Sequence, residues 1–585
     1  MIANLTATSM RAGFAAAALV AAAWTGSAAE LKDVPRDRTF VSMGNDRGSP
    51  VFLDPGIANP YRGGVNSIRW TIMLSTEPLF WYNNLTDEVV PWIGESVEAN
   101  EDFTQYTVRI KDGVEWSDGK PFTAEDIKFT YDMLIENGKG AGDLRFASSV
   151  ARNVASVDVI DPLTVQINLT GSNPRYPFVD LYAYFGNGLI WVPKHIWEGV
   201  DDKLAFPNYD PANGLPVTTG AWRLVEYNEN QIFLDRRNDW WGAKTGFRDL
   251  PDIERIVSIP FGNTDRAIKL ITEGTVDFAP NLTDVIFVRQ MLGDNPQIQM
   301  FSGKEPPYGA VGWWTMSLFP NNKMEKWSDV RVRKALNNAI DQQAIVDFVY
   351  DGLNPVNLTP FPDFGSLSDI REVAFDKAAE HDFGRRDLSR VDALMTDAGF
   401  EKNDNGFWAK DGEELTSIIH GIPLTRAFGP FVARQLQDAG FNIEFVSNTD
   451  SRTLMRKGEA EMAIFGHRGS VFDQLAGFEL YLCRNQDAPL IFDRWCNEDY
   501  DAIVAEMANF PPGDPMLLEL GEQALEIMYS EAVEVPLMEH VQRFPMRTEH
   551  WTNWPQADNP YILPGMAFIS GTMAYMLHNL QATSE

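Results

Sequence analysis

The chain has 585 residues, 44% of them hydrophobic and 12% aromatic, with 49 Lys+Arg against 82 Asp+Glu and a formal net charge of −33. This much apolar and aromatic material excludes a disordered chain, and at about 100–200 residues per domain it supports two to four lobes. The acidity excludes a nucleic-acid binder, which needs cations against phosphate, and 2 Cys are too few for a disulfide scaffold, an iron–sulfur cluster or an all-cysteine zinc site.

The first thirty residues read as a secretory signal. Arg11 is the only charge before Glu30, Ala12–Trp24 is an apolar run, and Ser27-Ala28-Ala29 supplies small residues for cleavage. This gives a signal over 1–29 and a mature start near Glu30. The run falls short of the roughly 20 residues a membrane span needs, and no Cys near the cleavage site offers a lipid acceptor. The expected compartment is the periplasm. There Cys483 and Cys496 are expected to pair across a loop of about 15 residues, worth about 3 kcal/mol in the chain-entropy account, the alternative being two buried thiols.

Further along, Thr104–Ile110 alternates as a strand, and turns follow at Lys111-Asp112-Gly113 and Ser117–Lys120. Thr123 caps a helix from Ala124 with Asp126 at its third position. Ile127, Thr130, Tyr131 and Leu134 share one face of that helix. Leu163–Leu169 alternates again, and Gly220–Asp235 reads as strand, turn and strand. Helices are predicted over Asp265–Glu273, Asp329–Tyr350 (the longest), Val391–Ala398, Phe431–Ala439 and Met516–Ser530. A strand is predicted at Phe441–Val446, and Val533–Met538 is mostly apolar. Helices and strands alternate from end to end, which points to α/β lobes.

Several strings add a resemblance. Thr76-Glu77-Pro78-Leu79 resembles a "YEPL" element, and Val90–Ser96 resembles "P-x-LAESW". Thr107–Gly113 followed by Trp116–Asp126 resembles "LR-x-GVKFHDGxPFTAEDV". Val192–His195 is similar to "lPKH", Thr219–Leu224 to "TGPYKL", Arg237–Trp241 to "RNPDYW", and Asp329–Leu336 with Ala339–Asp341 to "DVRVRQAL…AID". Together they resemble the family 5 extracellular solute-binding proteins of ABC importers, the oligopeptide-, dipeptide- and nickel-binding type, over nearly the whole mature chain.

The resemblance implies an α/β, periplasmic-binding-protein-like two-lobe hinged fold (type II, cluster C) with an extra subdomain in the N-terminal lobe. Mapped here, lobe I comprises 30–80, 215–305 and 533–585. The extra subdomain is 81–214 and lobe II is 306–532, with crossings near Gly303–Gly312 and Tyr529–Pro536. It further implies a monomer without cofactor that binds a short peptide or oligosaccharide and delivers it to permease subunits in the inner membrane.

Candidate ligand contacts are weighed against plainer roles. Trp313 and Trp314 lie at the expected crossover strand, where neighbours point to opposite faces, so one is expected to line the cleft and the other to pack inward. Glu77 and Trp81 flank the "EPL" element, as contacts or as internal support. Phe465–Asp473 occupies the place of a "W-x-ADYPDP" motif whose Asp, in peptide binders, pairs with the ligand ammonium. Here Ser470 falls nearest that Asp, Asp473 is the closest carboxylate, and His467 and Arg468 make the stretch more basic. That departure leaves room for an oligosaccharide or an opine-like acid, which Arg468 would clamp bidentately.

The 7 His show no HxxxH or HExxH spacing, so no metal site is expected, and Asn403–Gly406 reads as a turn rather than a calcium loop. The competing class is a secreted glycoside hydrolase with paired carboxylates and Trp subsites; a chaperone or signalling receptor on the same fold is a third reading.

Overall fold

The computed structural model describes residues 32–44, 49–62, 68–184, 188–467, 471–565 and 570–583. The expected signal over 1–29, Arg468 and Ser470 lie outside them. Among the described residues no helix is long and apolar enough to cross a membrane.

Three sheets organise the chain. One is an antiparallel sheet of Gly94–Ala99, Gln105–Ile110, Thr164–Leu169 and Val154–Asp161, in that order. Its pattern is visible in QYTVRI, where Tyr106, Val108 and Ile110 are buried and Gln105, Thr107 and Arg109 are exposed. The helix Ala124–Lys139 packs against this sheet. Its capping box is present: the Thr123 N–H donates to Asp126 Oδ2 at 2.9 Å, which satisfies an otherwise orphaned group and is worth about 1 kcal/mol.

The second sheet pairs Thr39–Gly44 in parallel with Arg255–Pro260, which continues antiparallel into Ile232–Arg236 and Trp222–Tyr227. The turn between the last two closes where the Asn228 N–H donates to the Gln231 carbonyl at 3.0 Å.

The third sheet has the order Asn442–Val446, Thr416–His420, Met462–Gly466, Met316–Pro320, Val535–Met538. Two of its three interior strands, Met462–Gly466 and Met316–Pro320, are buried at every position, whereas Thr416–His420 alternates.

The second and third sheets are linked by two adjacent chain crossings. Ala310–Val311 pairs antiparallel with Val541–Gln542, and Ile298–Gln299 with Met546–Arg547. The approach is close at Gly309, where a Cβ would lie 2.2 Å from the Gln542 carbonyl oxygen.

The helix expected over Asp329–Tyr350 is two helices, Val330–Ala339 and Gln342–Tyr350. Ile340 is extended, and Asp341 caps the second helix by accepting from the Ala344 N–H at 2.9 Å. An Asp placed to cap competes with helix continuation. Asn403–Gly406 is a hairpin turn, with Asn403 Oδ1 accepting from the Asn405 and Phe407 N–H groups. Cys483 and Cys496 are joined by a disulfide with Cα atoms 4.5 Å apart.

Candidate functional site

The crossings are pinned by buried polar groups from both sides. Arg543 is 1% exposed; its Nη2 donates to Asn354 Oδ1 at 2.7 Å and its Nε to the Pro307 carbonyl at 3.0 Å. Its backbone N–H donates to Asn281 Oδ1 at 2.7 Å. Glu539, fully buried, accepts from Arg371 Nη2 at 2.8 Å; burial pushes its carboxyl up to about 8 against the stabilising Arg371 charge. Burial, then Arg543, pushes the His540 imidazole down to about 4. The chain thus passes between sheets beside buried, mostly paired polar groups, with Glu539 Oε2 and Gln542 Oε1 left without a hydrogen-bond partner.

Beyond the crossings, Trp313 and Trp314 precede the Met316–Pro320 strand. The expected strand does not reach them: both lie between Ala310–Val311 and Met316–Pro320, so pleat alternation does not set their directions. Their rings meet at 5.4 Å, both half-buried, and Trp314 also packs on Phe465 at 5.1 Å. Gly466 makes room for it, since a Cβ there would lie 2.7 Å from the indole.

A buried polar chain starts from the Met316–Pro320 strand that follows Trp313 and Trp314. Ser317 Oγ donates to Glu534 Oε1 at 3.0 Å and Tyr481 Oη to Glu534 Oε2 at 2.7 Å. With the tyrosine proton so placed, His467 Nε2 donates to Tyr481 Oη at 2.6 Å, and the two rings stack at 5.3 Å. Burial pushes Glu534 up to about 8, with nearby Asp493 adding to the rise, and burial pushes Asp493 up to about 6. His467 is 4% exposed and sits in this chain.

Asp473, also 4% exposed, is ion-paired with Arg175 Nε, whose Nη1 donates to the Phe510 carbonyl at 2.8 Å. Burial raises the Asp473 carboxyl and the Arg175 charge opposes that rise. The carboxylate therefore has its cation within the protein.

Glu77 is buried, and both its oxygens accept from indoles: Trp240 Nε1 at 3.1 Å and Trp241 Nε1 at 2.7 Å. Burial pushes it up to about 7. Trp81 is buried in the Phe80–Asn83 strand, edge-on to Trp92 at 6.1 Å and tilted on Tyr575 at 5.9 Å. The two residues line one small void with Met73 and Ile190, large enough for a water molecule or two. The Glu77 oxygens are taken by protein indoles and the Trp81 ring packs on protein, while Trp81 Nε1 is buried without a hydrogen-bond partner.

The long family-like strings are structural. Asp118 Oδ2 meets His195 Nε2 at 2.7 Å, and Asp126 Oδ1 accepts the Lys194 N–H at 2.9 Å. The sequence singled out Trp313, Trp314, His467 and Asp473, and the structure ties all four to the Met316–Pro320 and Met462–Gly466 strand ends and the loops leaving them. It keeps Glu77 and Trp81 together elsewhere. Arg175, Tyr481, Glu534 and Arg543 were not singled out; none lies in a quoted string except Glu534, whose place in the apolar Val533–Met538 run was the available signal. Among the described residues no group of three or more His, Cys, Asp or Glu is arranged to hold a metal ion.

The pattern that defines bacterial extracellular solute-binding proteins, family 5 Middle, matches residues 88–488. The dipeptide-binding protein of Escherichia coli (strain K12) is 25% identical over 538 residues, 85% of this chain and 90% of its own length. The periplasmic oligopeptide-binding protein of an oligopeptide ABC transporter from Thermotoga maritima superposes with a TM-score of 0.76 at 21% identity, covering 94% of this chain and 100% of its own. A mannohexaose-bound structure described in the same terms, from the same organism, gives a TM-score of 0.71 at 20% identity, with the same coverage. The chain belongs to the family 5 extracellular solute-binding proteins and has their two-lobe fold. It is the substrate-binding component of an ABC transporter, a binding protein rather than an enzyme.

Proposed function

We propose that this family 5 protein captures an oligopeptide-sized solute between its lobes in the periplasm and delivers it, chemically intact and as a monomer, to the permease of its importer. Lobe I takes in 30–80, 215–305 and the C-terminal return, with 81–214 as its extra subdomain; the return expected at 533 falls later, because Val535–Met538 pairs with Met316–Pro320 and so keeps lobe II running from the first crossing to the Val541–Gln542 crossing. The observation that carries the reading is the paired crossing at Ala310–Val311 and Val541–Gln542. Two short antiparallel segments joining large sheets are what a hinge requires, since few residues must absorb the change in backbone angles on closure. Trp313 and Trp314 form an aromatic wall beside that hinge, packed on Phe465, with His467 and, next to it in sequence, Arg468 and Ser470 as further candidate contacts.

An oligosaccharide is the second reading of the solute. Two half-buried indoles suit the apolar face of a sugar ring, and a similarly folded protein holds mannohexaose. A thermal-shift screen of short peptides and oligosaccharides, with chromatography of the recovered solute, tests both. A saturable rise in melting temperature with unaltered solute supports capture. Turnover of the solute refutes it.

A further inference from the structure

We propose that the segment from Asn173 to Tyr184 is a latch that holds the cleft shut, with Arg175 as its charged pin and Phe178 as its apolar one. The latch leaves the antiparallel sheet after Thr164–Leu169 and meets the loop that follows Met462–Gly466 in a different sheet. Arg175 Nε engages the buried Asp473 carboxylate across 298 positions of sequence. Its Nη1 holds the Phe510 carbonyl at 2.8 Å, and its backbone N–H is fixed by Asn173 Oδ1 at 3.0 Å. Beside the ion pair, Phe178 lies flat on Phe472, with centroids 4.1 Å apart and planes 8° apart, and Tyr184 meets Phe472 edge-on at 5.7 Å.

The contact has the make-up of a reversible one. Arg175 Nη2 and Asp473 Oδ1 are buried without a hydrogen-bond partner, so the pair is single rather than bidentate. Opening returns both charges to water, which offsets the attraction lost. A latch of this kind supplies both charges from the protein. Closure there therefore asks no charged group of the solute at Asp473, and a neutral polar solute suffices.

The inference rests on the lobe division proposed above, which puts Arg175 with the extra subdomain and Asp473 in lobe II. Its test uses the whole oxidised protein with spin labels at Glu98→Cys and Glu444→Cys, exposed positions in the two sheets concerned. Without solute, the parent is expected to show a short inter-label component that shrinks at least twofold in Arg175→Met and Asp473→Asn. Methylguanidinium is expected to restore it in Arg175→Ala but not in Arg175→Ala/Asp473→Asn.

Identical distance distributions in parent and variants overturn the latch. So does failure of all the variants, the milder Phe178→Leu included, to fold, since that makes the contact a permanent part of the core. The two proposals fail separately. A protein that consumes its solute but keeps an Arg175-dependent short component loses the capture reading only; one that captures solute with Arg175-independent distances loses the latch only.

Discussion

Replacing Glu534 with Gln should raise stability at neutral pH and leave it nearly unchanged in mild acid. Glu534 is 4% exposed, and its carboxyl is pushed from 4.5 up to about 8, chiefly by burial. Between those values the folded protein holds a proton that the unfolded chain has released. The folded state binds more protons, so stability falls as pH rises through this window, by about 1.4 kcal/mol per pH unit. By pH 7 the loss is on the order of 3 kcal/mol, and it is absent below 4.5. Gln keeps the shape: its carbonyl accepts from Tyr481, and the Ser317 hydroxyl turns to accept from the amide. Glu539 titrates in both proteins and largely cancels in the difference, while Asp493, coupled to Glu534, ionises more easily beside Gln and so adds to the gain at the higher pH. Urea unfolding of both proteins at about pH 5 and about pH 7.5 reads that difference. Glu534→Gln should match the parent at the lower pH and exceed it by about 2–3 kcal/mol at the higher. A difference that does not change with pH refutes the assignment of a buried, proton-holding Glu534.

Other outcomes follow from the same structure. Trp313→Ala and Trp314→Ala should each weaken solute binding about tenfold, the loss of one stacked aromatic contact of about 1.4 kcal/mol, read by titration calorimetry; unchanged affinity in both removes the wall from the site. Gly466→Ala should also weaken binding, with an intact circular dichroism spectrum, because the added Cβ displaces the Trp314 indole. Glu77→Ala should destabilise by about 2–4 kcal/mol, since two buried indole N–H groups lose their acceptor; a cost below about 0.5 kcal/mol contradicts its role as a support. Replacing Cys483 and Cys496 together by Ser should cost about 3 kcal/mol in denaturant while solute affinity is retained.

Much of the fold is legible in the sequence because burial on one face writes a period. Tyr106, Val108 and Ile110 alternate with exposed neighbours, and Thr123 with Asp126 marks a helix start that the structure reproduces atom by atom. The break at Ile340–Asp341 was equally open to reading, since Asp341 is a capping residue inside an otherwise helical stretch. The site was less legible. The sequence places Trp313 and Trp314 in a strand, but they lie in the link between Ala310–Val311 and Met316–Pro320, where no pleat sets their directions. The partner of Glu77 lay within another singled-out string, Arg237–Trp241, but no spacing rule says that two such strings touch. Arg175 carries no local signal at all: its role depends on a carboxylate 298 residues away, which tertiary packing alone supplies.

The most direct test of solute capture is the distance between labels at positions 98 and 444, measured by electron–electron resonance with and without a saturating solute from the screen. A closing protein shifts its distribution toward the short component when the solute binds, because only preferential affinity for the closed form moves that equilibrium. A bound solute that leaves the distribution where it was contradicts closure between the two lobes.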